Sequence, residues 1–430
     1  MNLYQSDKYL KIWGIPAMNY GWAVMGGLWM SSLIIPMVVV SLGIMLPQMT
    51  EDLSISPVQA GLLGSAMFVS SAIASLPVSI YLSRYSPKRV ITFAIFMAGI
   101  FALMQGFAQT YYILLVGRLL FTTTIVVRTQ AEVLLIQQWF TLRQFALVVS
   151  VAVGVFSSGQ LVALGTTAWL MELFAGWRNL YYVLGIILLI EVVIWILIGK
   201  DKPKVDPDNS KLEENNKSPI GILFKEKTLW ILALCPTGAA LAFGSVLTFW
   251  PTYALESLNL DLKTVGSLMT LFPVGGTAAS FLGGPLSNRV RQRRIFIWLP
   301  GIFLPIIYII LFTTKSPAII AIMLLFAGWN AMIWVPILRI IPLDLQLAPR
   351  QTAVAVGLSM TIIPIGGAIG PTMVGFIQEW SGSLQYGLLG VSLFPITLLI
   401  GGLMLRETMP SNAVLGIDMS SSGRPETEKG

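Results

Sequence analysis

The chain contains no histidine, and a single cysteine, Cys235, in 430 residues. Without imidazole, no side chain with an ordinary pKa near neutrality is available as general base, proton shuttle or metal ligand. One thiol excludes an intrachain disulfide. Charge is scarce as well: Asp, Glu, Lys and Arg make up 11% of the residues, against about a quarter in a soluble domain, which excludes a water-soluble monomer of this size. A Gly-x-x-x-x-Gly-Lys-[Ser/Thr] phosphate loop is also missing, so nothing supports a nucleotide as energy source.

What the chain has in quantity is apolar surface. Hydrophobic residues make up 55% and the mean hydropathy is +0.78. Six apolar segments run approximately over 20–45, 57–82, 90–108, 111–139, 145–169 and 179–198, and six more over 229–253, 264–286, 295–313, 317–343, 351–377 and 385–405. Each is close to the length of about 20 residues that a helix needs to cross a bilayer. The stretch between the sets is rich in Lys, Asp, Glu, Asn, Ser and Pro, the composition of a solvated linker. These patterns predict an all-α membrane protein of twelve transmembrane helices, numbered 1 to 12 in chain order. Its parts would be a lead-in at 1–19, a six-helix bundle at 20–199, a linker at 200–228, a second bundle at 229–405 and a tail at 406–430.

Basic residues set the expected orientation. With both termini in the cytoplasm, only Arg178, Lys263 and Lys315 lie outside and Arg118, Arg128 and Arg339 lie within helices. Every other Lys and Arg is then inside, as the positive-inside rule favours. The net charge of +7 therefore reads as a topology signal and not as a nucleic-acid surface. The expected location is a cell membrane, of the bacterial or archaeal inner-membrane type, crossed many times.

The two sets also repeat. Leu46-Pro47-Gln48 after helix 1 is echoed by Trp250-Pro251-Thr252 after helix 7, Arg84 by Arg289, and Arg143-Gln144 by Arg350-Gln351, at offsets of about 205 residues. Matches in chain order predict two bundles related by an axis along the membrane normal.

In these residues the chain resembles the major facilitator superfamily. That family's signature between helices 2 and 3 is roughly Gly-x-Leu-Ala-Asp-Arg-x-Gly-Arg-Arg; here it reads Ser83-Arg84 to Lys88-Arg89 and, in the second half, Asn288-Arg289 to Arg293-Arg294. The basic part survives and the aspartate does not. Gly117-Arg118, Trp139-Phe140, Gly176-Trp177-Arg178 and the Gly366-Gly367-x-x-Gly370-Pro371 run add to the likeness. The resemblance implies that helices 1, 4, 7 and 10 line a central cavity, that 3, 6, 9 and 12 face lipid, and that Arg84 and Arg289 form a conformational latch, weakened by the missing acid. It also implies bundle-to-bundle contact at Gly154 and Gly159 and at Gly366, Gly367 and Gly370.

An ionisable group inside the bilayer costs about 2.5–3.5 kcal/mol on insertion scales and marks function by default. Five are expected within helices: Arg118, Arg128 and Glu132 in helix 4, Glu191 in helix 6 and Arg339 in helix 10. The i, i+4 spacing of Arg128 and Glu132 puts them one turn apart on one face, and the repeat sets Glu132 opposite Arg339. Arg128 is the candidate receptor for an anionic solute, with Asn330, Trp334 and Thr248 as further substrate contacts. Glu132, Arg339 and Arg118 are the candidate coupling or gate residues. Arg118 has the alternative of snorkelling to the interface, and Glu191, on a helix expected to face lipid, has no evident partner. Ser157, Ser158, Gln160, Thr237, Ser245, Trp250, Tyr253 and Trp329 complete the polar and aromatic candidates.

The expected function is a secondary active transporter that moves a small organic or inorganic anion by alternating access, coupled to protons or to exchange. It would act as a monomer in the bilayer, without cofactor or metal. Efflux of amphiphilic compounds is the alternative. A polytopic membrane enzyme or a non-transporting sensor is the alternative from another class. The enzyme is poorly equipped, with no histidine and no paired intramembrane aspartates.

Overall fold

The computed structural model describes residues 17–82, 85–140, 142–201, 226–345, 347 and 349–408. Twelve helices in it are long and apolar enough to span a membrane. Among the described residues there are no strands. Helix 1 comprises Ala17–Val39 and Leu42–Leu53, helix 2 Pro57–Leu82, helix 3 Pro87–Gly106, helix 4 Tyr111–Trp139, helix 5 Leu142–Leu173 and helix 6 Trp177–Ile198. The second half has helix 7 as Lys227–Leu234 and Thr237–Glu256, helix 8 as Leu262–Met269 and Leu271–Val290, and helix 9 as Ile295–Thr313. Helix 10 is Pro317–Met332 and Val335–Asp344, helix 11 Pro349–Ser381, and helix 12 Leu384–Val391 and Ile396–Met404. Most of the expected lead-in, linker and tail lies outside the described residues.

The interruptions follow the prolines. A proline ring clashes with the carbonyl four residues earlier and brings no N–H to bond it. The first pieces of helices 8, 10 and 12 end at Met269, Met332 and Val391, each four residues before Pro273, Pro336 and Pro395. Pro236 stands in the break of helix 7.

Each half packs mainly on itself, and the halves meet through a symmetric set of contacts: helix 2 against helix 11, helix 5 against helix 8, and the outer piece of helix 1 against helix 7. Exchanging the halves turns the first contact into the second, as a duplicated bundle requires. These contacts lie on the side away from the linker, here the far face. Ser65 Oγ donates to the Ala368 carbonyl and pairs with Thr372 Oγ1 (3.0 Å), and Lys263 meets Glu172 at 2.7 Å. Above this seal a vestibule of about 1070 Å³, lined by Gln48, Glu51, Thr252, Glu256 and Asp261 among others, opens on the far face. Asp261 accepts from the N–H and hydroxyl of Thr264, which hold its carboxyl below the usual range. Helices 4 and 10 pack within their own halves.

Of the glycines expected at the seal, Gly154, against Phe281, and Gly367, against Phe68, do face the other bundle, and Gly159, Gly366 and Gly370 do not. A Cβ at Gly159 would meet helix 1 of its own bundle, and at Gly366 or Gly370 helix 7 of its own bundle. Across the bundles the close approaches include Gly43, Gly61, Gly64, Gly266 and Gly375, with Gly244 and Gly367 against Phe68.

Candidate functional site

Slightly to the linker side of the middle of helix 4, Arg128 and Glu132 form a buried ion pair, Nη1 to Oε2 at 3.2 Å. Both are nearly sealed, at 3% and 6% exposure. Helix 1 supplies the rest. Arg128 Nε donates to Ser31 Oγ (2.9 Å), and Nη2 donates to Ser32 Oγ (2.6 Å) and to the Leu28 carbonyl (2.9 Å). Trp29 Nε1 donates to the other oxygen of Glu132 (3.0 Å). A guanidinium has five N–H groups, and four are engaged here. The positive charge is therefore held by neutral hydroxyls on one side and a carboxylate on the other, and a solute anion would gain it by displacing one of these partners.

Glu191 joins the cluster from helix 6. It is 1% exposed, and its Oε1 accepts the backbone N–H of Ser31 at 2.7 Å. The expectation of a lipid-facing acid is overturned: Trp177, Leu180, Leu184, Leu188, Glu191 and Trp195 share the buried face of helix 6. That face was legible in the three-to-four-residue spacing. The serines and tryptophan of helix 1, which sequence reasoning did not single out, were visible only as a Trp-x-Ser-Ser run in a helix piece, Ala17–Val39, without charge.

Arg118 does not snorkel. It is buried at the end of the first piece of helix 1 and donates to three backbone carbonyls, Leu63 (2.8 Å), Val38 (3.3 Å) and Val39 (2.8 Å). Val38 and Val39 precede the helix break, where carbonyls lose their helical donors. The Tyr181 hydroxyl also donates to Val38 (3.4 Å), and an orphaned carbonyl in hydrocarbon is costly, so Arg118 with Tyr181 closes the break.

The remaining candidates are dispersed. Asn330 donates to the Phe326 carbonyl of its own helix (2.9 Å), and Trp334 is buried with its N–H unpartnered among the described residues. Thr248 packs against Gly64 across the bundles, and its hydroxyl donates to the Gly244 carbonyl. Ser157 and Gln160 line a gap of about 60 Å³ between the bundles with Phe243, Phe272 and Met332. Tyr253 is buried and donates to the Phe312 carbonyl (2.7 Å), and Trp250 is fully buried. Arg339 is carried on the second piece of helix 10; its side chain lies outside the described residues, as does Arg84.

On the linker side of the second half, Arg289 is exposed and the buried contacts belong to Arg293. Its Nε donates to Asp344 (3.0 Å), and its Nη1 donates to Ser287 and Asn288 (2.6 Å each). The signature's missing acids have local substitutes. Asp201, just past helix 6, accepts from the Lys88 N–H and the Ser86 hydroxyl. Glu407, just past helix 12, accepts the Arg293 N–H (2.8 Å). Each carboxylate sits at the N-terminus of the third helix of its half, where the helix dipole favours negative charge.

The family model described as Major Facilitator Superfamily matches residues 28–371 and, again, 232–418. The chain is 20% identical over 370 residues to the "Probable L-galactonate transporter" of Escherichia coli K12, covering 79% of each chain. It is 25% identical over 402 residues to the "Probable galactarate/D-glucarate transporter GudP" of Bacillus subtilis 168, covering 83% of this chain and 85% of that one. Among solved structures, a bacterial homologue of the human lysosomal transporter Spinster, in an inward-facing, unoccupied conformation, superposes with a TM-score of 0.74 at 17% identity, covering 90% of this chain and 95% of that one. Twelve spans, contacts between the halves that repeat when the halves are exchanged, and a family match across both halves agree: the chain belongs to the major facilitator superfamily.

Proposed function

We propose that this secondary transporter carries a small organic anion, of the sugar-acid class, by alternating access, with Arg128 as the group that receives the negative charge. The observation that carries this reading is the buried guanidinium on the linker side of the seal, held by Ser31, Ser32 and Glu132. Such a charge is retained inside a bilayer only when it is partnered and useful. A carboxylate ligand offers Arg128 a charge-assisted bond at least as good as the two serine hydroxyls, and Glu132 is the group it would release. Two relatives named for L-galactonate and for galactarate or D-glucarate support an acidic solute. With the termini in the cytoplasm, the far face is the outside, and the conformation is closed outward and prepared to open inward. Arg339, at the position equivalent to Glu132, is the proposed partner of the released carboxylate, and the linker-side contacts of Arg293 and Asp201 are the proposed latch that the opposite state rearranges.

The test is uptake of L-galactonate, galactarate and D-glucarate into proteoliposomes, with and without an imposed pH gradient. Loss of one hydrogen-bonded charge contact is worth about 1.5–3 kcal/mol, and each 1.4 kcal/mol is about tenfold. Arg128→Gln should therefore reduce uptake by about ten- to 150-fold, with Arg128→Lys retaining part of it. Undiminished uptake by Arg128→Gln would refute the assignment and favour a carrier of neutral or cationic compounds.

A further inference from the structure

The cluster around Arg128 does not balance. One guanidinium faces two carboxylates, and among the described residues the neighbouring elements supply no second positive charge at that depth. Helix 1 has no charged residue in its first piece and presents Tyr20, which donates to the Ile198 carbonyl. Helix 3 carries Lys88 and Arg89 only at its linker-side end, where Lys88 Nζ reaches the Ile196 carbonyl. Helix 5 carries Arg143 and Glu172 at its two ends, and the outer piece of helix 1 has Glu51 and Asp52 at the far face. Helix 6 itself adds Arg178 at the far face and Tyr181 and Tyr182 two to three turns from Glu191.

The two acids are also unequal. Glu132 has both oxygens engaged, one by Arg128 and one by Trp29. Glu191 has Oε1 on the Ser31 N–H, while its Oε2 is buried without any hydrogen-bond partner among the described residues. An unpartnered oxygen is far costlier on an ionised carboxylate than on a neutral acid. Glu191 is coupled to the anion receptor through one residue, because the Ser31 N–H holds Glu191 while its hydroxyl accepts from Arg128.

We infer that Glu191 is the proton-binding group of the transport cycle, and that a proton on it accompanies an anion on Arg128. The chemistry is a single protonation, carboxylate plus proton giving the neutral acid. The inference rests on the anion reading above. When a solute anion joins Arg128, the cluster holds one guanidinium against three negative groups, and a proton on Glu191 with its unpartnered oxygen offsets the added charge. Binding of anion and proton is then mutually reinforcing, by reciprocity of linkage, which makes the carrier a symporter.

The proton site is read directly by infrared difference spectra of the reconstituted full chain on acidification from about pH 9 to about pH 5, the range in which displaced carboxyl groups titrate. The carbonyl band of a buried acid should appear in the wild type, vanish in Glu191→Gln and persist in Glu132→Gln. A band that survives Glu191→Gln, or no band in the wild type, overturns the inference. Should Glu191→Gln fail to fold, Glu191→Asp must displace the band, and an unmoved band overturns it equally. With D-glucarate as the probe, gradient-driven uptake should be lost in Glu191→Gln while exchange persists; intact gradient drive refutes the coupling role. If the wild type carries none of the anions, the anion reading fails while the infrared band still decides the proton site.

Discussion

The seal on the far face leads to a quantitative expectation for Gly61. A Cβ built there would stand 2.4 Å from the Pro371 carbonyl oxygen and 2.8 Å from Thr372 Cα of helix 11. Both are backbone atoms, so no side-chain rotation relieves the clash and the helices must separate. Overpacking of this kind costs about 1–3 kcal/mol. The cost falls only on the conformation in which helices 2 and 11 touch here, so Gly61→Ala shifts the balance towards the state open on the far face. A differential of that size is about a five- to 150-fold change in the ratio of states. The assay is labelling of a reporter cysteine, Thr252→Cys, at the vestibule wall in a Cys235→Ala background, with a membrane-impermeant maleimide in proteoliposomes. Labelling should accelerate in Gly61→Ala. It should not change in Gly357→Ala, where a Cβ meets nothing within 4 Å. Equal labelling rates for the parent and Gly61→Ala would refute the reasoning that this contact is the seal.

Two further expectations concern residues that hold shape. Arg118→Ala removes the donor to Val39 and the charged donor to Val38, to which the Tyr181 hydroxyl also donates; a buried orphaned group costs about 1–3 kcal/mol, so the detergent-solubilised protein should unfold at a clearly lower temperature, and an unchanged midpoint would show that the helix 1 break does not depend on this side chain. Arg293→Ala removes the partner of Asp344, Ser287 and Asn288, and breaking a buried pair costs about 3–5 kcal/mol; the exposed Arg289→Ala should cost less than about 1 kcal/mol, an order that comparative thermal unfolding checks and that reversed values would contradict.

Much of this molecule is local and therefore legible in one dimension. Hydropathy over about 20 residues marks each span, and the proline positions mark where helices 8, 10 and 12 break. The spacing of Arg128 and Glu132 predicts their contact, because residues four apart on a helix are neighbours whatever surrounds them. The echo between the halves needed only matched residues at a nearly constant offset.

The tertiary structure decided everything that depends on which helix faces which. It placed Glu191 beside Ser31 instead of lipid, because rotation of helix 6 about its own axis is set by packing against helices 1 and 3. It turned Arg118 from a candidate for the interface into a clamp on a broken helix, and it gave the buried linker-side contacts to Arg293 over Arg289. Hydropathy and periodicity state that a face is buried but not what it is buried against, and that pairing comes only from the packed bundle.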